Sequence, residues 1–249
     1  MAGIGEALAL EGLWLLLTGA ALAGLVRGFS GFGTAMIYLP FAARVLDPVW
    51  VLVTLLVIDL IGPLPQLPRA LREGEPRDVA RLAGGAALGV VAGVAVLVSF
   101  SAEPFRYAVS LITLALLLLL VSGLRWRGEL RAAMIWGTGA LGGFLGGAVG
   151  LPGPPVILFY MARPLPPQVI RANIMVYLVA VDAMMMALFA FRGLLEPAPV
   201  MVGLVVAPVY LVGVWLGGRI FDPARERLYR FVAYAIIAGS AMGGLPLWD

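Results

Sequence analysis

GLVRGFSGFGTAMIYLPFAAR, residues 24–44, decides the fold. It is an apolar run interrupted by Gly28, Gly31 and Gly33, with Ser30, Phe32 and Thr34 between and after them. A bilayer-spanning helix needs about 20 mostly apolar residues, and the piece after the break, 34–46, is shorter than that. The stretch therefore reads as a long membrane helix followed by a half-helix. Composition puts the whole chain in the same setting. Its 249 residues are 62% hydrophobic and 12% charged, with a mean hydropathy of +1.02. A soluble domain is about half apolar and about a quarter charged, so this chain cannot coat a soluble surface. Its 32 Gly and 18 Pro suit membrane helices.

The absent residue types exclude much chemistry. There is no His and no Cys, and all 17 cationic side chains are Arg. Disulfides, zinc sites, thiol nucleophiles and His-based acid–base catalysis fall away, as do Schiff-base lysines and the lysine of a nucleotide-binding loop. The expectation is a non-enzyme with no catalytic set, no cofactor, no metal and no nucleic-acid partner. The opening MAGIGEALALEGLW carries Glu6 and Glu11 and no cation ahead of its apolar run. A signal peptide shows the opposite pattern, so this run is expected to be a retained span.

Ten apolar segments emerge, at about 7–27, 34–46, 48–67, 79–100, 104–123, 132–149, 153–163, 170–191, 198–217 and 227–245. Asp47-Pro48, Glu103-Pro104 and Asp222-Pro223 mark helix starts. Arginine placement tests whether the two short segments cross. If all ten cross, one side receives fourteen arginines: Arg27, then Arg69, Arg72, Arg77 and Arg81, then Arg125, Arg127 and Arg131, then Arg163 and Arg171, then Arg219, Arg225, Arg227 and Arg230. The other side receives three, Arg44, Arg106 and Arg192. If the short segments dip and return, the division is nine to eight. Cytoplasmic loops carry the cation excess, so ten crossings are preferred, in a bacterial inner (plasma) membrane with both termini outside. Trp14, Trp50, Trp126, Trp136 and Trp248 fit an interfacial belt; the run Met184–Met186 packs or faces lipid.

The chain also repeats. GFSGFGTAMIYLPFAAR (28–44) resembles GGAVGLPGPPVILFYMAR (146–163), and LLVID (55–59) resembles YLVAVD (177–182). Five crossings per half, 1–125 and 126–249, force the halves to run in opposite directions. This is the inverted-repeat plan of secondary transporters, with sites at discontinuous helices. The predicted fold is an all-α polytopic membrane protein of two inverted five-segment repeats.

Candidate site residues follow from the breaks. A half-helix N-terminus offers unpaired N–H groups and a positive dipole end, and glycine lets an anion approach the backbone. Arg27, Gly28, Ser30, Gly31, Phe32, Gly33 and Thr34 form the first candidate cluster. Gly147, Gly150, Leu151 and Gly153 form the second, with Pro152, Pro154 and Pro155 among them. Close helix packing through small residues is the competing explanation. Arg27 either anchors at the interface or lines the cavity. Arg171 and Asn173 open the eighth segment, Arg171 as a second candidate or an interfacial charge, Asn173 as a substrate or interhelical contact. Asp59 and Asp182 lie inside apolar segments, where an ionisable group is costly and functional by default. Two roles compete for them, a proton-coupling or gating carboxyl and a structural partner for an arginine or backbone donor; coupling or gating fits better than contact with an anion.

GLVRGFSGFGTAMIYLP (24–40), GGAVGLPGPPVILFYM (146–161) and RAN (171–173) resemble the TauE/SafE family of sulfite and organosulfonate transporters over almost the whole chain. The resemblance implies a secondary carrier moving small sulfur-containing or carboxylate anions, usually outward. Pro152, Pro154 and Pro155 stand where many members have small residues. The resulting expectation is a carrier of sulfite, sulfoacetate or a related sulfonate that rocks two halves around the socket. A small-anion channel and a non-transporting assembly subunit are the alternatives; oligomeric state is not legible.

Overall fold

The computed structural model describes residues 3–123, 132–161, 163 and 165–247. Among them the chain forms twelve α-helices, one short 3-10 turn and no strand. In order these are α1 (Ile4–Leu8), α2 (Leu13–Ser30), α3 (Thr34–Ala42), α4 (Pro48–Ile61), α5 (Leu67–Glu73) and α6 (Pro76–Leu97). The remainder are α7 (Ala102–Val121), α8 (Ala132–Val149), α9 (Gly153–Met161), α10 (Pro167–Phe191), α11 (Pro197–Ile220) and α12 (Glu226–Gly244). Six of them, α2, α6, α7, α8, α10 and α11, are long and apolar enough to cross a membrane. The chain is an integral membrane protein.

Two segment boundaries differ from expectation, each for a local reason. The first span begins at Leu13 because Gly12 adopts a left-handed conformation (φ 84°) that separates α1 from α2. The third ends at Ile61, ahead of Gly62-Pro63, and α5 is a separate helix. Proline lacks the N–H that continued helix would need. Arg125, Trp126, Arg127, Arg131 and Trp248, with the expected repeat boundary at 125/126, lie outside the described residues.

The broken helices share one design. Leu13, Thr34 and Pro48 begin α2, α3 and α4; Ala132, Gly153 and Pro167, each 119 positions further on, begin α8, α9 and α10. The long pieces α2 and α8 have 18 residues each, and the short pieces α3 and α9 have nine. Gly31 (φ 79°) and Gly150 (φ 75°), again 119 apart, end the long pieces in the left-handed region. An L-residue there pays roughly 1–2 kcal/mol, so glycine sets where each helix stops.

Contacts divide the chain into two units, each drawing on both sequence halves. The first comprises Met1–Ile58, Phe100–Leu118 and Leu195–Asp249. Here α3 folds back along α2. A Cβ on Gly19 would stand 2.8 Å from Phe41, and one on Gly12 would stand 3.0 Å from Val45. The short helix and its following turn thus return to the end where α2 began. Parallel to α2 runs α11, with Gly24 and Gly28 against the carbonyls of Tyr210 and Val214, and Gly213 and Gly217 against those of Ala21 and Leu25. A Cβ at these four positions would come within 2.1–2.8 Å of backbone oxygen. This is small-residue spacing of four, which lets membrane helices meet backbone to backbone. Along α3 lies α12: the Phe32 and Tyr234 rings are 6.5 Å apart, and Pro40 abuts Gly244.

The second unit comprises Asp59–Ser99 and Leu119–Leu194. Its centre is an equivalent seam, with α6 parallel to α8. Gly85, Gly89 and Gly93 lie on the carbonyls of Trp136, Ala140 and Phe144; Gly139, Gly143 and Gly147 lie on those of Leu82, Ala86 and Val90. Helix α10 covers α5 and α6.

Candidate functional site

The first break collects the polar groups of its unit. Ser30 ends α2, Gly31 and Gly33 are both left-handed, and α3 starts at Thr34. The Ile37 N–H already bonds Gly33 O at 3.1 Å, so the amides of Thr34, Ala35 and Met36 are those a helix start leaves without an intrahelical acceptor. Over this turn stands Arg27, whose Nη1 donates to Thr34 Oγ1 at 3.4 Å. Thr34 is buried and shares a 3.1 Å hydrogen bond with the Tyr210 hydroxyl of α11. Arg27 therefore turns toward the break. Open space surrounds Gly31: a Cβ there would meet nothing within 4 Å. Positive charge, hydroxyls and a helix N-terminus together suit a small oxyanion.

Not every residue singled out from the sequence faces that opening. Ser30 Oγ is 2.7 Å from Val26 O and 2.9 Å from Phe32 O and accepts the Phe32 N–H at 3.3 Å, so it ties the turn together. Phe32 stacks toward Tyr234. Gly28 and Gly147 sit in the helix seams, where neighbouring backbone explains the missing side chain. Gly33 has ordinary contacts with Val26 and Ile237.

The second break is built alike but carries different chemistry. Gly150 N–H bonds Gly146 O at 2.8 Å, Leu151 N–H bonds Leu145 O at 3.1 Å, and Leu151 is buried. Gly153 opens α9, but Pro154 and Pro155 occupy its next two positions. Proline has no N–H, so this start offers an anion far fewer donors than α3 does. The two breaks match in geometry and differ in donor supply.

At the far end of α9, Arg163 bridges Asp78 and Glu75, with Glu75 Oε2 at 3.2 Å, and lies 6.0 Å from the ring centroids of Phe159 and Tyr160. Arg81 joins Asp78 at 3.4 Å. Asn173 is fully buried and accepts the Glu75 N–H at 2.7 Å, capping the start of α6. Its Nδ2 and the Tyr160 hydroxyl are both buried, and the two side chains interact. Arg171, two residues earlier, is exposed. Asp182 is buried in the body of α10 at 7% exposure, and Asp59 is half-buried near the end of α4. Sequence reasoning missed Tyr210, Glu75 and Asp78, whose partners lie 85 to 176 positions away. The cue for Asp78 was its place on the first turn of an apolar helix.

These features define a polytopic α-helical membrane protein with a discontinuous helix in each of two units, a class in which transport sites lie at such breaks. A family model described as "Sulfite exporter TauE/SafE" matches residues 16–243, and the chain belongs to that family of membrane transporters. It is similar to a protein named "Probable sulfite/organosulfonate exporter TauE" from Cupriavidus necator, with 27% identity over 225 residues and 84% of each chain covered. No solved structure matches it.

Proposed function

We propose that this protein exports small sulfur oxyanions, sulfite or a short organosulfonate such as sulfoacetate, by secondary active transport across the bacterial inner membrane. The carrying observation is the Arg27–Thr34–Tyr210 constellation over the free N-terminus of α3. The name of the Cupriavidus relative supports the substrate class. In this reading the anion sits against the amides of Thr34, Ala35 and Met36, and Arg27 exchanges its Thr34 contact for the substrate. The α3 start is the main anion-binding element, because Pro154 and Pro155 deplete its counterpart of donors. Alternating access exposes the site to one side and then the other.

Matched helix lengths and the constant offset of 119 support two inverted five-crossing repeats. The return of α3 to the start of α2 supports counting the short helices as crossings, with the arginine-rich loops inside and both termini outside. Asp182 is the better coupling carboxyl, since its burial makes a permanent charge costly; Asp59 is the second candidate.

The test is efflux of radiolabelled sulfite from proteoliposomes. Saturable efflux that falls at least tenfold in Arg27→Gln and Thr34→Val, both still folded, is the expected result. Efflux without saturation would instead indicate a channel. Folded protein that neither binds nor moves any sulfur anion would sink the transport reading.

A further inference from the structure

The geometry points to a second ligand site, at the opposite end of α3, for a small anion carrying a short alkyl tail. The nine residues of α3 lie between Gly33 and this end, roughly 13–14 Å of helix, so this site is remote from the α2–α3 break and does not rest on the transport reading. A half-open cavity of about 260 Å³ lies there within the first unit, among α2, α3 and α12. Leu22, Pro40, Phe41 and Ile236 give it apolar walls. Its volume equals about eight or nine waters at ~30 Å³ each, enough for a short alkyl chain.

The mouth carries the charge. Arg44 lines the cavity, is exposed, and reaches Gly243 O at 3.5 Å. Arg106 donates its Nε–H to Gly244 O at 3.3 Å. Gly243 and Gly244 end α12, and bare carbonyls there would repel an anion. Arg44 brings a guanidinium to that rim, and Arg106, which does not line the cavity, holds the neighbouring carbonyl. Apolar walls and one arginine at the rim suit an amphiphile with an anionic head such as a sulfonate or carboxylate. Its open side is bounded by the exposed Gly239 and Gly243, where a Cβ would meet nothing within 4 Å. Those two glycines leave space that no helix neighbour uses.

The experiment is calorimetric titration of the full chain, in a nonionic detergent, with methane-, butane- and hexanesulfonate and with hexanol. Each buried methylene contributes about fourfold in affinity, so binding should tighten steeply from methane- to butanesulfonate and level off once the cavity is full. Arg44→Gln should weaken butanesulfonate at least tenfold and abolish its advantage over the alcohol. Gly239→Leu fills the cavity without touching backbone, and should erase the tail dependence while the melting temperature stays within a few degrees of wild type. The same titrations in an Arg27→Gln background, which silences the proposed anion site at the other end of α3, should keep the dependence on tail length. Affinity independent of tail length, or unaltered by Gly239→Leu, overturns the proposal. So does displacement of hexanesulfonate by phosphatidylglycerol but not by phosphatidylcholine in nanodiscs, which would assign the cavity to lipid.

Discussion

Replacing Arg163 by Met should destabilise the second unit by about 2–3 kcal/mol, a value bracketed by two limits. Stripping one partner from a buried ion pair costs about 3–5 kcal/mol because the other charge is stranded. An exposed pair is worth about 0–1 kcal/mol. The side chain of Asp78 is 12% exposed and that of Arg163 is 22%, close to the buried limit, while Glu75 at 38% is closer to the exposed one. Asp78 keeps Arg81 at 3.4 Å, a partner that is itself 43% exposed and compensates only in part. Methionine retains packing volume against Phe159 and Tyr160, so the loss is mainly electrostatic. At about 2–4 °C per kcal/mol for a chain of this size, the melting temperature in detergent should fall by roughly 5–10 °C. Adding Asp78→Asn removes the stranded charge and should restore about half of the loss. Melting of Arg163→Met within about 1 °C of wild type, or a double variant no better than the single, would refute the reasoning.

Three further outcomes follow from local geometry. Gly89→Val drives a side chain into Ala140 O, 2.1 Å from the Cβ position, and should abolish folded protein in membranes, while Gly137→Val, with nothing within 4 Å, should express normally; equal yields by fluorescence size exclusion would contradict the seam. Gly31→Ala should cost about 1–2 kcal/mol from its left-handed backbone alone, read as a lowered melting temperature, with Gly31→Asn milder; an unchanged melt for the alanine would argue against the break as described. Thr54→Val strands the Tyr38 hydroxyl, which donates to Thr54 Oγ1 at 3.0 Å in a fully buried site, and should cost about 1–3 kcal/mol; Tyr38→Phe in the same background should recover part of it, and a double variant as unstable as Thr54→Val would exclude that hydrogen bond as the cause.

Much of the architecture was readable along the chain because it is written in local chemistry. Gly31 and Gly150 had to be glycine wherever a membrane helix stops short and turns, and Pro48 announced α4. Arg163 stands beside Glu75 and Asp78, and Arg44 and Arg106 hold adjacent carbonyls at the end of α12. What the chain did not disclose were the pairings. Gly24 and Gly28 looked the same as any glycine pair until α11 stood against them, and nothing near Thr34 in sequence named Tyr210. Asn173 was legible as a polar group on an apolar helix, but its role as the cap on Glu75 depends on a backbone 98 positions away. Glycine chemistry fixes where helices break; only packing fixes whom they meet.

The glycine seams have a consequence for biosynthesis. Segments leave the ribosome in order, yet α2 finds its backbone-deep partner only in α11, almost the entire chain later. Until then its small-residue stripe must wait in lipid or against the insertion machinery, with no van der Waals partner at close range. The α6–α8 seam, by contrast, needs one intervening helix and can zip early. Assembly is thus ordered by topology: the second unit can mature while synthesis continues, whereas the first, which holds Arg27 and Thr34, is completed last. A nascent protein is therefore unable to finish the surroundings of its α2–α3 turn before the membrane already contains nearly all of it.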